Sequence, residues 1–316
     1  MVCACTTPSA DAPADSALDT VDDTDTGTDS DSGIPSLPTY DCAGIPAQIG
    51  AIRQVANAAG FHGLAFNDQD QIIGADGDAN LLAIASDGTG GVWIPNAGWT
   101  EQLAFLPDGD LAVASAGAIH RRTPEGGVSE INGLNVYGLV VGPDGMIYTA
   151  ASGNIERVEP VSGARTELVS QYNARVVAFN HVGSQLVFGT VSRSGEVFTV
   201  ELDANFDPVD DPVLIGTTPG DWHDGIGVDV CGNAYVVEYE TRSLYRIGVT
   251  TGEVVQLHWF QDTTFAHGLI WGPGSGGWDD RSLYLPQPFN DRAVMEMELG
   301  VPSAGWAGEP VNASPF

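Results

Sequence analysis

The sequence predicts an all-β fold, a six-bladed β-propeller behind a disordered N-terminal tether. Three observations predict it. One short unit recurs six times, with corresponding residues 36 to 49 apart. Each copy carries several short apolar runs separated by turn residues, and none shows helical periodicity. The first 41 residues differ in composition from everything that follows.

The repeat is an entry residue, Gly or a small residue, an apolar run, a turn and a second apolar run. The copies are "FHGLAFNDQDQIIGAD" from Phe61, "TEQLAFLPDGDLAVAS" from Thr100, "VYGLVVGPDGMIYTAA" from Val136, "ARVVAFNHVGSQLVFGT" from Ala174, "HDGIGVDVCGNAYVVEY" from His223 and "AHGLIWGPGSGGWDDRSLYL" from Ala266. Several short strands per repeat at this period indicate a propeller. The "PDG" turns at 107–109 and 143–145 are hairpin chemistry, with Asp and Gly supplying the turn backbone. Copies continue into a third strand, as in "AIHRRT", "NIERVEP", "SLYRIGV" and "AVMEMEL". Residues 50–58, "GAIRQVANA", precede the first copy as an orphan strand. That strand is expected to complete the last blade and hide its free edge.

Residues 1–41 are dominated by Asp, Thr, Ser, Ala, Pro and Gly. Such a segment cannot bury enough apolar surface to offset its ordering entropy, so it reads as a flexible tether. Its Asp-Thr and Asp-Ser pairs lack a Gly in calcium-loop register. "VCAC" before "TTPS" resembles the end of a bacterial lipoprotein signal, with Cys5, or else Cys3, as the lipidated residue. Export and a lipid anchor in the cell envelope are therefore expected. No stretch is long and apolar enough to span a bilayer. Residues 42–316 form the predicted propeller domain. Cys42 and Cys231 are the two cysteines within it. In an oxidising compartment they are candidates to pair, the alternative being two separate thiols.

The chain has 42 acidic and 11 basic residues, a formal charge of −31, and every basic residue is arginine. That balance opposes nucleic acid and anionic membrane surfaces, and it suits solubility in a salty habitat. The expected partner is a small molecule at the channel mouth of a monomer. No nucleophile elbow, phosphate loop or dinucleotide fingerprint is present.

In a propeller the first strand of each blade lines the central channel. Its opening residues here are His62, Glu101, Tyr137, Arg175, Asp224 and His267. Ring closure makes the sixth and first blades neighbours, so Asp224, His267, His62 and Glu101 form one arc opposite Tyr137 and Arg175. Two imidazoles and two carboxylates are a suitable ligand set for a divalent metal. The imidazoles favour zinc or manganese over calcium, which prefers oxygen. Arg175 could hold an oxyanion or ion-pair with Asp224 or Glu101. The alternative is a metal-free polar funnel that binds water. His223 is expected to point away from the channel by strand alternation and to buttress Asp224. His120, His181 and His258 read as surface residues. Trp99 and Trp222 stand just ahead of channel positions and could wall a pocket. "NAS" at Asn312 reads as an incidental glycosylation match.

On "HDGIGVDVCGNAYVVEY", "HGLIWGPGSGGWDDRSLYL" and the repeated Gly-apolar blade entries, residues 50–300 resemble the gluconolactonase/senescence-marker-protein (regucalcin-like) family. The resemblance implies a six-bladed propeller with a divalent metal in its channel and hydrolysis of lactones and related esters. It places the family's metal-binding Asp on Asp224. The family's first-blade Glu falls on His62, its fourth-blade Asn on Arg175, and its third-blade Asn-Asp pair on Val136 and Tyr137. Two functions follow. In one, a metal on His62, His267, Asp224 and Glu101 activates water and a carbonyl, Asp224 or Glu101 acts as base, and Arg175 steadies the oxyanion. In the other, the propeller binds a ligand or protein without catalysis.

Overall fold

The computed structural model describes residues 40–304, apart from 78–79, 116, 181–182 and 262. The tether, both candidate lipidation cysteines, His181 and Asn312 lie outside the described residues. The regular structure of the described residues is antiparallel strand, with one short 3-10 turn at Cys42–Gly44. Four sheets have four strands each, and a fifth has seven. The seven-stranded sheet is two blades joined by the strand Arg165–Phe179. Its first half pairs with Gly153–Val158 of one blade, and its second half pairs with Gln185–Thr190 of the next. The six predicted blades are therefore present. The orphan strand, Ile52–Ala56, pairs with Ala293–Glu298 as the outer strand of the last blade. This pairing closes the ring and covers an open sheet edge.

The inner strands are Leu64–Phe66, Leu103–Phe105, Val136–Val141, the second half of Arg165–Phe179, His223–Val228 and Ile270–Trp271. They are short, and nearly all their residues are buried on both faces, which explains their continuous apolar runs. Between the blades the core is aliphatic and aromatic, with Trp271, Tyr148, Tyr235, Tyr284 and Phe188 among its largest buried side chains.

Two backbone features set where the channel residues point. The register breaks between Val136 and Leu139, between Ala174 and Val176, and between His223 and Gly225. Tyr137, Arg175 and Asp224 lie within these three bulges, where the strand leaves its ladder and a side chain is re-aimed. His62, Glu101 and His267 instead precede their inner strands. Periodicity presents all six as ordinary strand openings, because it cannot reveal a one-residue bulge. The Gly after the entry residue has a steric reason. A Cβ on Gly138 would lie 2.5 Å from the Arg175 carbonyl oxygen of the next blade, and one on Gly225 would lie 2.8 Å from the Gly268 Cα. Neighbouring blades meet backbone to backbone at the channel.

At the other end of the His223–Val228 strand, the turn to the next strand is organised by Asp229. Its buried carboxylate accepts from the Cys231 and Asn233 backbone N–H groups and from the Tyr235 hydroxyl. Cys231 of this turn is disulfide-bonded to Cys42, as one sequence alternative anticipated. Around it the Tyr40 hydroxyl donates to the Gly300 carbonyl, and Arg246 donates to that of Pro46. The chain at 302–304 also joins here, through Val230 N–H to Pro302 and Ala304 N–H to Val228. Both ends of the described chain are thus fastened at the face opposite Asp224. Replacing Cys42 and Cys231 together by Ser should lower stability by roughly 3 to 5 kcal/mol, since the bond closes a long loop. Denaturant midpoints of the two proteins would measure it, and midpoints that coincide would deny the bond a stabilising role.

Candidate functional site

The six entry residues converge at one mouth of the channel. Asp224 anchors them. Its side chain is 1% exposed, and its Oδ1 accepts from Arg175 Nε at 3.1 Å, Arg175 Nη2 at 3.0 Å and Trp222 Nε1 at 2.8 Å. The guanidinium is itself clamped. Its carbon lies 3.4 Å from the centre of the Tyr137 ring and 4.5 Å from that of Trp222. Such stacking fixes a cation and partly replaces its lost hydration. Burial still pushes the Asp224 pKa up, against the opposing pull of Arg175.

The remaining Asp224 oxygen, Oδ2, faces His267 Nδ1 at 3.2 Å, and Glu101 Oε2 faces His62 Nδ1 at 3.1 Å. Neither contact has hydrogen-bond alignment, so these four buried atoms and His267 Nε2 are left without a hydrogen-bond partner. Buried polar atoms are nearly always satisfied, and a cluster of exceptions marks a place built to receive something polar. The two imidazole rings are 5.1 Å apart, centre to centre. Burial, aided by Arg175, lowers both imidazole pKa values to about 4. Both rings are therefore neutral at pH 7. Burial also raises the Glu101 pKa, although Trp99 Nε1 donates to its Oε1 at 2.6 Å.

Trp99 and Trp222 do more than wall the site. Each donates its indole N–H to the carboxylate two residues later, in "WTE" and "WHD". That shared Trp-x-acid spacing was legible in the sequence. Tyr239, Phe265 and Phe289 were not anticipated. All three pack around His267, with ring centres 5.2, 5.2 and 5.3 Å from it. They come from different loops, so spacing gave no sign of them. His120 and His258 stand on outer parts of their blades and take no part. A void of about 60 Å³ is lined by inner-strand residues, mostly apolar and including Phe179 and Trp271, together with Gln102, Ser303 and Ala304.

His223 does point away from the channel. It is fully buried, and its Nδ1 accepts from the Thr190 N–H at 3.0 Å. Nε2 therefore carries the proton and donates to Thr218 Oγ1 at 2.9 Å. This bond ties the start of the Asp224 strand to the preceding blade.

The four residues expected to share a metal do not form a single cluster in this geometry. His62, Glu101, Asp224 and His267 are gathered, but as two imidazole–carboxylate pairs. Among the described residues no three His, Cys, Asp or Glu side chains are placed to share one metal ion. A fixed guanidinium also occupies Asp224 Oδ1, so a cation could reach this carboxylate only at Oδ2, beside a positive charge already bonded to it. The donors present do not fit a resident divalent metal.

No protein-family model and no curated protein matches the chain. Solved structures do match. A gluconolactonase from Xanthomonas campestris has a TM-score of 0.65 at 15% identity, over 79% of this chain and 89% of that one. The fold is shared with gluconolactonases. A calcium-binding regucalcin from Agrobacterium tumefaciens matches at 0.64 and 16% identity, over 81% and 95% of the two chains. Virginiamycin B lyase from Staphylococcus aureus matches at 0.55 and 15% identity, over 79% and 99%. These likenesses agree with the fold expected from the sequence resemblance.

A buried histidine whose folded pKa is depressed stabilises the fold above its unfolded value near 6.5. That stability is lost as pH falls through the folded value, which is about 3 for His223. Burial-raised Asp224 and Glu101 act in the opposite sense. The test is therefore a difference between two proteins. His223→Gln should melt below the parent at pH 7, and the gap between the two melting temperatures should narrow from pH 6.5 to pH 4. A gap independent of pH would remove His223 as the cause.

Proposed function

We propose that this propeller opens lactones or related esters at the channel mouth, using imidazole–carboxylate pairs. The observation that carries this reading is the group of five buried, unpartnered N and O atoms on His62, Glu101, Asp224 and His267, set beside Arg175. With Nδ1 of His62 turned toward Glu101, its Nε2 is the nitrogen that takes a proton from water attacking the carbonyl carbon. Glu101 stabilises the imidazolium that forms, and the imidazolium returns its proton to the departing alkoxide as the tetrahedral intermediate collapses and the acyl C–O bond breaks. Arg175 Nη1, which makes no hydrogen bond among the described residues, faces the role of holding the developing oxyanion. Asp224 Oδ1 holds three N–H bonds, so its first part is to fix Arg175. Its Oδ2, set beside His267 Nδ1, is the oxygen left to pair with that imidazole. Trp99 and Phe289, both more than half exposed, form an apolar rim for the substrate's ring.

A second reading, non-catalytic capture of a small molecule, is favoured by one observation. Imidazoles with pKa values near 4 are weak bases at neutral pH. The Cys42–Cys231 bond suits an oxidising compartment and supports the reading of an exported protein; a lipid anchor at Cys5 or Cys3 and a monomeric state are proposed alongside it.

Steady-state assays on five- and six-membered lactones and aryl esters separate the two functions. For the enzyme, Glu101→Gln and His62→Asn should lower kcat about 10²- to 10⁴-fold with melting temperatures near the parent's. Because His62 loses its proton near pH 4, kcat should be level from pH 8 to pH 5 and fall below that. Saturable binding with no turnover in any protein would establish the second reading.

A further inference from the structure

We propose that Arg175 is this site's permanent cation, supplying fixed positive charge at the mouth and keeping divalent ions out. The inference stands on the geometry of the mouth and not on the proposed reaction. Arg175 alone supplies two of the three N–H bonds to Asp224 Oδ1. It is held face-on by Tyr137 and flanked by Trp222, so it cannot swing aside without losing both aromatic contacts. Its bulged backbone position, between Ala174 and Val176, aims it at the axis and not along the blade. The guanidinium neutralises the most deeply buried carboxylate of the site. A cation arriving at Asp224 Oδ2 or His267 Nδ1 would meet a positive group already bonded to the same carboxylate. In a chain of net charge −31, which concentrates divalent ions around itself, such a fixed charge has an evident use. It keeps His62, His267, Asp224 and Glu101 available to an organic ligand. The site is thus specific for uncharged polar groups over metal ions.

The test uses the full chain, washed free of metal and titrated separately with Mn²⁺, Zn²⁺ and Ca²⁺ by calorimetry and thermal shift. The parent is expected to bind no ion at the mouth. Arg175→Asn removes the charge and offers an amide oxygen, and should raise affinity for Mn²⁺ or Zn²⁺ roughly a hundredfold or more. Adding Asp224→Asn to that variant should abolish the gain. Arg175→Lys keeps the positive charge and should gain nothing. One equivalent of ion bound by the parent, and lost in Asp224→Asn, would overturn the proposal. So would an Arg175→Asn protein that is folded by circular dichroism yet binds no ion. If Arg175→Asn does not fold without metal, recovery of its fold on adding Mn²⁺ or Zn²⁺ supports the proposal, and failure to recover counts against it.

Discussion

Ring closure is the constraint on which the rest of this molecule depends. Ile52–Ala56 lies at the start of the described chain and Ala293–Glu298 near its end, yet they are neighbouring strands of one blade. Their pairing makes the last and first blades adjacent. Without it, His267 and His62 would sit on opposite ends of an open arc of sheets. With it their rings are 5.1 Å apart, and two imidazole–carboxylate pairs share one mouth. The site is therefore a product of the whole circle, and no blade owns it.

Closure gathers the residues, but electrostatics decides what they can do. Every ionisable group at the mouth is buried enough for its charge to be costly. The imidazoles respond by staying neutral, and Asp224 responds by taking Arg175 as a partner. A buried ion pair of this kind is weak evidence for stability, because desolvation offsets much of the attraction. Its consequence here is positional. It ties blades four and five together across the axis and turns the guanidinium flat against Tyr137. The two Trp-x-acid pairs act in the same way, each indole N–H holding one carboxylate oxygen and leaving the other oxygen facing a histidine.

The far face is organised by different means. The Asp229 turn, the Cys42–Cys231 bond and residues 302–304 brace one another there. The strand between Asp224 and Asp229 separates a polar mouth from a braced base. Chemistry and fastening are thus placed at opposite ends of the same short strand. Glycines at the crowded entries, Gly63, Gly138 and Gly225, let neighbouring blades meet backbone to backbone.

Much of this was legible in the sequence. Six copies of a unit whose apolar runs alternate with turns could bury their faces only by stacking in a ring, so the blades, the closing strand and the six converging residues followed from pattern alone. Opposite orientations for His223 and Asp224 also followed, since adjacent residues of a strand face opposite sides. Three things did not follow. The bulges at Tyr137, Arg175 and Asp224 leave no periodic trace. The choice between a shared metal site and two separate pairs depended on side-chain placement at the mouth, to which spacing is blind. The partner of Arg175 was open between Asp224 and Glu101 until the ring placed the guanidinium. Sequence determined which side chains would meet, because hydrophobic periodicity dictates which positions face the axis. Only tertiary structure decided what they make together, because charge, burial and donor geometry are properties of the assembled site.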